Sequence, residues 1–233
     1  MALYTIGDLH LSLYKEKPMD VFGDNWRGHT EKLRESFSQL NDDDLTVFCG
    51  DLSWGMNLEE TLPDFQFVDV LPGKKLILKG NHDYWWTTAA KTKRFFEEHG
   101  ITTIDILHNN AFIWGDYAIC GTRGWFYEEE KGGDHDAKIM RREIMRLEAS
   151  LNAAGDRTKI VFLHYPPIYG NYRCEEILAL LKEHRVPLCC YGHIHGKGCG
   201  WAYNGSHDGT QFKLVSADFV NFTPVRIPFS LDI

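Results

Sequence analysis

The sequence predicts an α/β layered fold in a single domain. Short apolar runs of strand length alternate with segments of helical periodicity. Nitrogen- and oxygen-bearing side chains follow five of these runs, at the point where each run ends. The 233 residues are 43% hydrophobic, enough for one large core, and no repeat or low-complexity stretch divides them. We therefore expect one domain over residues 1–233.

Predicted strands and helices alternate along most of the chain. The apolar runs predict strands at residues 3–6, 45–49, 75–79, 159–163 and 187–191. The helical patterns cover residues 29–40, 58–70, 87–99, 133–153 and 175–184, with a break or restart of the second at Pro63. Short strands are expected at 101–122, with a hairpin near 114–117, and again after about residue 199. Residues 11–28 lack periodicity, so we expect a long surface loop there.

Composition narrows the possible partners. The net charge of -8 argues against nucleic acid or an anionic membrane as a stable partner. No segment is long enough to span a bilayer, and the N-terminus turns acidic too early for a signal peptide. The 6 cysteines form no Cys-x-x-Cys pair and mostly lie in apolar runs, which favours core thiols in a reducing compartment. We expect a cytoplasmic protein.

The polar residues at the strand ends form a candidate metal site. They are Asp8, His10, Asp51, Asn81, His82, His164, His193 and His195. Ligands of an open α/β sheet bind beside the carboxyl ends of its strands, because the loops meet there. Each residue alone has an ordinary explanation as a turn or cap. Together they exceed the needs of one tetrahedral zinc and suit two divalent ions that share a carboxylate. Mixed nitrogen and oxygen ligation suits Mn, Fe, Zn, Co or Ni and leaves the choice open.

The order and context of these residues resemble the calcineurin-like metallophosphoesterases. The resemblance spans residues 8–195 and rests on Asp8-x-His10, Gly50-Asp51, Gly80-Asn81-His82-Asp83, His164 and Gly192-His193-x-His195. It implies a four-layer α/β/β/α sandwich with two mixed β-sheets. It also implies a ligand set for each metal: Asp8, His10 and His195 for one, Asn81, His164 and His193 for the other, with Asp51 as the bridge.

The resemblance places His82 beside the phosphate without making it a ligand. An imidazole has an ordinary pKa near neutrality, and a leaving alkoxide needs a proton, so His82 is the predicted general acid. The predicted function is a dinuclear-metal-dependent phosphoester hydrolase with a metal-bridging hydroxide as nucleophile. Its substrate is expected to be a small phosphorylated molecule, with monoester and diester both open. The alternative is a non-catalytic metal-binding scaffold or sensor on the same fold.

The segment after Gly50-Asp51 departs from two branches of the family. Leu52-Ser53-Trp54-Gly55 has neither the Asp that orients the catalytic histidine nor the phosphate-binding Arg of protein Ser/Thr phosphatases. Trp54 also stands where purple acid phosphatases place a metal-ligating Tyr, so no tyrosinate site is expected. Another group must therefore orient His82, and the adjacent Asp83 is one candidate.

Two residues are candidates for substrate contact. Arg123 lies between glycines at the end of a predicted strand, as a phosphate clamp or simply as a turn residue. Trp54 adjoins the second motif and would wall the cleft, although core packing is the commoner role of tryptophan. Three acidic residues in the same region would repel a phosphate and are expected to face solvent: Glu128, Glu129 and Glu130.

Overall fold

The computed structural model describes residues 1–15, 17–125 and 133–228 and contains two mixed sheets. The strands are β1 (Leu3–Ile6), β2 (Leu45–Phe48), β3 (Lys74–Ile77), β4 (Ile104–Ile106), β5 (Ala111–Trp114), β6 (Tyr117–Thr122), β7 (Thr158–Leu163), β8 (Ile168–Tyr169), β9 (Tyr172–Arg173), β10 (Leu188–Tyr191), β11 (Gly205–His207), β12 (Thr210–Leu214) and β13 (Val225–Ile227). The first sheet has the order β13-β1-β2-β3-β4, parallel except for β13. The second has the order β11-β12-β10-β7-β6-β5, parallel in the centre with an antiparallel strand at each edge. Strands β8 and β9 pair separately.

Within the described residues, five α-helices cover the outer faces of the sheets. They are α1 (His29–Phe37), α2 (Leu58–Asp69), α3 (Ala89–Glu98), α4 (Asp134–Ala153) and α5 (Glu175–Glu183). Side-chain oxygens of Asn57 and Thr88 accept hydrogen bonds from the first turns of α2 and α3, as expected of N-caps. Pro63 lies inside α2, which continues past it without the break that its ring could have imposed.

Three apolar clusters show how the layers stack. Side chains such as Val47 of the first sheet and Phe162 of the second share a cluster, so the two sheets pack face to face. Phe65 of α2 belongs to a cluster with α1, α3 and the first sheet. Leu147 of α4 belongs to a cluster with α5 and the second sheet. The order is therefore α/β/β/α, which confirms the four-layer sandwich.

Most predicted elements occur where the periodicity placed them, including the hairpin between β5 and β6. The prediction for residues 11–28 needs a correction. This segment contains two 3-10 turns, Met19–Phe22 and Asp24–Trp26, and buries Met19 and Trp26 rather than lying wholly on the surface. Glu128, Glu129 and Glu130 lie outside the described residues. Within the described ranges, no helix is both long enough and apolar enough to cross a membrane.

Backbone hydrogen bonds hold the carboxyl ends of the two sheets together. Gly7, just after β1, donates to Val215 O at 2.8 Å and accepts from Ala217 N at 2.9 Å, just after β12. Asp8 N donates to Gly50 O at 2.9 Å, which ties the loop after β1 to the loop after β2. The loops that follow the parallel strands of both sheets therefore meet in one region.

Candidate metal centre

The first ligand cluster predicted from the sequence forms at this meeting point. Asp8, His10 and His195 offer ligand atoms that all lie within 4.8 Å of one another. His195 Nε2 lies 3.3 Å from His10 Nε2 and 3.3 Å from Asp8 Oδ1. Asp8 and His10 are buried and His195 is partly exposed. The loops after β1 and β10 thus bring together two imidazoles and one carboxylate.

The second predicted cluster is equally tight. Asn81 Oδ1 lies 2.6 Å from His164 Nε2 and 2.9 Å from His193 Nδ1. The two histidine nitrogens are 3.3 Å apart. One amide oxygen and two ring nitrogens, from the loops after β3, β7 and β10, therefore face a common point.

Asp51 lies between the two clusters. Its Oδ2 is 3.8 Å from His10 Nε2 of the first cluster and 3.6 Å from His164 Nε2 of the second. Its Oδ1 accepts a hydrogen bond from His82 N at 2.7 Å, which fixes the carboxylate. This is the position that a bridging ligand requires.

The hydrogen bonds of two histidines make them suitable metal ligands. His164 Nδ1 lies 2.9 Å from Cys49 O, and a carbonyl only accepts, so the proton must be on Nδ1 and the lone pair on Nε2. His195 Nδ1 lies 3.0 Å from Asp218 Oδ1, the carboxylate–histidine arrangement found behind many metal ligands. In both residues Nε2 is the atom that faces the cluster. The donor set fits divalent ions.

Asp218 was missed by the sequence analysis. It is only 7% exposed, and its Oδ2 also accepts from Gly196 N at 2.8 Å, so one carboxylate holds both His195 and the residue after it. A signal was present in the sequence, because Asp218 follows the apolar run that ends at Val215, just as the predicted ligands follow other strands. No recognised motif surrounds it.

Four of the candidate ligands have a left-handed backbone. The φ angles of Asp8, His10, Asp51 and His193 are 59°, 48°, 51° and 72°. Such conformations cost a non-glycine residue about 1–2 kcal/mol each and persist where surrounding contacts enforce them. One such contact is the Asp8 carboxylate, which accepts from His193 N at 2.9 and 3.0 Å. Four of the nine described non-glycine residues with positive φ are thus candidate ligands.

Two glycines of the motifs are required by close approach. A Cβ atom at Gly80 would overlap Asp51 Oδ1, and one at Gly192 would overlap Asp8 Oδ2. The backbone therefore runs directly against the carboxylate of the first cluster, Asp8, and against the carboxylate between the clusters, Asp51, and any side chain would displace them.

Burial and mutual charge set the protonation of the centre. Burial, together with the charge of Asp8, raises the pKa of Asp51 to about 8. Burial lowers the pKa of His193 to about 3, which keeps that imidazole neutral and its lone pair available. Burial also lowers the pKa of His10 and His164. For His195, burial acts the same way, but Asp8 and Asp218 outweigh it and raise the pKa to about 10.

The ring of His82 lies beside the first cluster and is half-buried. Its ring centroid is 5.7 Å from that of His10 and 4.5 Å from that of Trp54, and Trp54 stacks on His10 at 4.8 Å. Its Nδ1 is 3.4 Å from the hydroxyl of Tyr84, a residue that the sequence analysis did not single out. Burial lowers the pKa of His82 below its ordinary value.

Asp83 serves the loops rather than the His82 ring. Its carboxylate accepts hydrogen bonds from five donors: the backbone N–H groups of Asp51, Leu52, Ser53 and Gly80, and the indole N–H of Trp85. These bonds join the loop after β2 to the loop after β3. Burial, with the nearby charge of Asp51, raises the pKa of Asp83 to about 7. Its contacts therefore favour an anchoring role over the orientation of His82.

The guanidinium of Arg123 pairs with Glu143 and stacks near Trp125. Its Nη2 lies 3.5 Å from Glu143 Oε1, and its guanidinium lies 4.8 Å from the ring centroid of Trp125. Its carbonyl accepts from His164 N at 3.1 Å, so the residue adjoins the second cluster through its backbone. The charge that a phosphate clamp would need is shared with Glu143.

Comparison with known proteins identifies the family to which this sequence is similar. The family model of the calcineurin-like phosphoesterases matches residues 1–197. A curated relative, the probable glycerophosphodiester phosphodiesterase GpdQ of Arcobacter nitrofigilis, is 25% identical over 170 residues, which cover 65% of this chain and 56% of that protein. The chain thus spans little more than half the length of this relative.

Two solved structures have a similar fold over almost the whole chain. A protein of unknown function from Aquifex aeolicus, AQ665, has a TM-score of 0.52 at 14% identity, covering 97% of this chain and 95% of that one. The protein TT1561 of Thermus thermophilus has a TM-score of 0.53 at 15% identity, covering 98% of this chain and 89% of that one. The family model, which covers most of the sequence, shows that the chain belongs to the calcineurin-like phosphoesterase family.

Proposed function

We propose that the protein hydrolyses small phosphoesters with the help of two divalent metal ions. The observation that carries this proposal is the position of Asp51 between two donor clusters, 3.8 Å from a nitrogen of one and 3.6 Å from a nitrogen of the other. Asp8, His10 and His195 would hold one ion, and Asn81, His164 and His193 the other. Bound there, the pair would supply an activated water and neutralise charge at phosphorus. Manganese, iron, zinc, cobalt and nickel all suit this donor set.

His82 is the proposed general acid. Its ring lies beside His10 of the first cluster, and it follows Asn81 of the second in the chain, which would put it near a leaving oxygen that needs a proton. The lowered pKa of His82 favours its neutral form in the protein alone. A bound phosphoester brings negative charge, which would favour the imidazolium again.

Trp54 and Arg123 are the proposed substrate contacts. Trp54 is supported by its packing against His10 and His82. Arg123 is supported by its backbone bond to the loop of His164, while its guanidinium would have to share its charge with Glu143. The Arcobacter nitrofigilis relative is named as a diesterase, which favours a phosphodiester over a monoester. The cysteines are free, and most are buried, which supports a cytoplasmic, reducing location.

The test is hydrolysis of p-nitrophenyl phosphate and its bis ester with Mn²⁺, with and without chelator. We expect chelator-sensitive turnover of at least one ester. His82→Ala should keep the metal content and lose about 10²–10⁴-fold in rate. His135→Ala, at an exposed position of α4, is the matched control. Two bound metals without turnover would favour a scaffold or sensor, and loss of metal in His82→Ala would make His82 a ligand.

A further inference from the structure

We propose that a cavity beside His82 receives the leaving group and selects a compact apolar one, such as a single aromatic ring. This inference rests on the proposed phosphoester hydrolysis and names its substrate class. The cavity has a volume of about 190 Å³ and is lined by His10, Met19, Phe22, Trp26, Trp54, His82 and His195. It lies between the two 3-10 turns of residues 19–26 and the candidate metal centre.

The lining identifies which side of the substrate enters. Three of its members are the proposed general acid and two histidines of the first ligand cluster. The proton from His82 must reach the leaving oxygen, so the group bonded to that oxygen lies against His82. The aromatic wall is continuous there: Trp54 is 4.5 Å from His82, and Trp26 is 5.7 Å from His195, between ring centroids. The cavity is therefore on the leaving-group side.

The chemistry of the walls disfavours polyol leaving groups. Apart from the histidines, the lining side chains carry neither a charge nor a hydroxyl: Met19, Phe22, Trp26 and Trp54. The indole N–H of Trp54 is already directed at Met19 Sδ, 3.3 Å away. Outside the three histidines, the walls give the buried hydroxyls of a sugar or glycerol no charged group or hydroxyl to replace lost water, an unfavourable exchange. An apolar ring has no hydrogen bonds to water to lose, and it gains contact with aromatic faces.

The size of the cavity limits how much of the leaving group can be buried. An engineered apolar cavity of about 150 Å³ in another protein holds one benzene molecule. A volume of about 190 Å³ therefore holds one ring or a compact alkyl group, whereas a nucleobase with its sugar would extend out of it. The preferred substrates would be aryl or short-alkyl phosphoesters.

The test compares two ligands that differ only in this group. Phenylphosphonate and methylphosphonate carry carbon–phosphorus bonds that ester hydrolysis does not cleave, so calorimetry on the manganese-loaded protein gives a dissociation constant for each. We expect phenylphosphonate to bind at least about tenfold more tightly, because burying the ring removes apolar surface from water. Phe22 is 59% exposed at the cavity, so Phe22→Ala should fold and reduce this ratio severalfold. Phe22→Leu should retain most of the binding ratio. Val21 is a 73% exposed neighbour outside the lining, so Val21→Ala should retain all of the ratio.

The outcomes separate this inference from the proposed function. Chelator-sensitive ester hydrolysis with a binding ratio near one overturns the apolar pocket and leaves the hydrolase intact. A high ratio that Phe22→Ala leaves unchanged also overturns it, because the ring would then bind elsewhere. No hydrolysis of any ester, with metal bound, overturns the hydrolase and the leaving-group pocket together. A high ratio that falls in Phe22→Ala, in a protein that hydrolyses esters, supports both.

Discussion

Replacing Asp218 with asparagine would show whether the centre depends on the orientation of His195. The carboxylate accepts from His195 Nδ1 at 3.0 Å with one oxygen and from Gly196 N at 2.8 Å with the other. An asparagine offers one acceptor oxygen, so its NH₂ group would face either the imidazole N–H or the backbone N–H. One of the two bonds must be lost, and His195 Nε2 loses its fixed direction toward Asp8 and His10.

The size of the effect follows from the bond that is lost. A hydrogen bond to a charged group contributes about 1.5–3 kcal/mol, which is roughly one to two decades of affinity at 1.36 kcal/mol per decade. The same range, about 10–100-fold, is typical when the partner behind a metal-binding histidine is removed. Asp218 also raises the pKa of His195, but it stabilises positive charge on the ring whether a proton or a metal sits on Nε2. This electrostatic contribution of Asp218 largely cancels when a proton and a metal ion compete for Nε2. The expected loss of metal affinity therefore comes from the lost orientation of His195.

The assay is competition for Mn²⁺ between the folded protein and a chelator of known affinity, at constant pH. Asp208→Asn is the matched control, because it also removes one carboxylate, from an exposed pair with Lys182 at 3.0 Å. We expect Asp218→Asn to bind at least one ion about 10–100-fold more weakly and Asp208→Asn to bind as the unmodified protein does. Equal affinity of both variants would refute the positioning role of Asp218.

Three further predictions concern the support of the centre. Gly80→Ala should bind Mn²⁺ at least about tenfold more weakly, because its Cβ would overlap Asp51 Oδ1. Gly200 has open space around it, so Gly200→Ala should bind Mn²⁺ as the unmodified protein does. Unchanged metal content in Gly80→Ala would contradict this prediction. Asp83→Asn should lower the free energy of unfolding by about 1–3 kcal/mol in denaturant titrations, since its NH₂ would face an N–H donor; an unchanged midpoint would contradict this. Burial raises the pKa of Asp64 to about 6, so the folded state binds more protons than the unfolded state between about pH 4 and 6. Stability should therefore fall by about 2–3 kcal/mol as pH rises across that window, relative to Asp64→Asn, and parallel pH profiles would show that Asp64 does not titrate there.

The strand ends could be predicted from the sequence, because both the strands and the residues after them have local signals. An apolar run of four or five residues followed by Gly-Asp or Gly-Asn needs no knowledge of distant contacts. Parallel strands then bring those ends to one edge, so a one-dimensional pattern becomes a cluster. The distances within the two ligand clusters agree with that expectation.

The residues that sequence reasoning missed depend on contacts distant in the chain. Asp218 lies 23 positions from His195, in a tail without a motif, and only the pairing of β12 with β10 brings them together. Met19 and Trp26 lie in a segment without periodicity, and Trp26 is buried by packing on Phe222 and His195. Asp83 adjoins His82 in the sequence, but its oxygens are taken by backbone amides that only the folded loops present.

The charge balance of the buried centre gives a reason for cations that is independent of any family resemblance. Asp8, Asp51, Asp83 and Asp218 are all buried there. Among the histidines of the two clusters, the pKa of His195 is raised to about 10, whereas burial lowers that of His10, His164 and His193. One imidazolium cannot balance four carboxylates. The pKa values of Asp51 and Asp83 are raised, with burial as the largest cause, which shows that ionising all four carboxyl groups without a cation is unfavourable. Divalent ions beside Asp51 would favour its ionised form and balance the excess negative charge. Because protons compete with metal ions for these ligands, metal affinity should rise with pH through the pKa of Asp51 near 8.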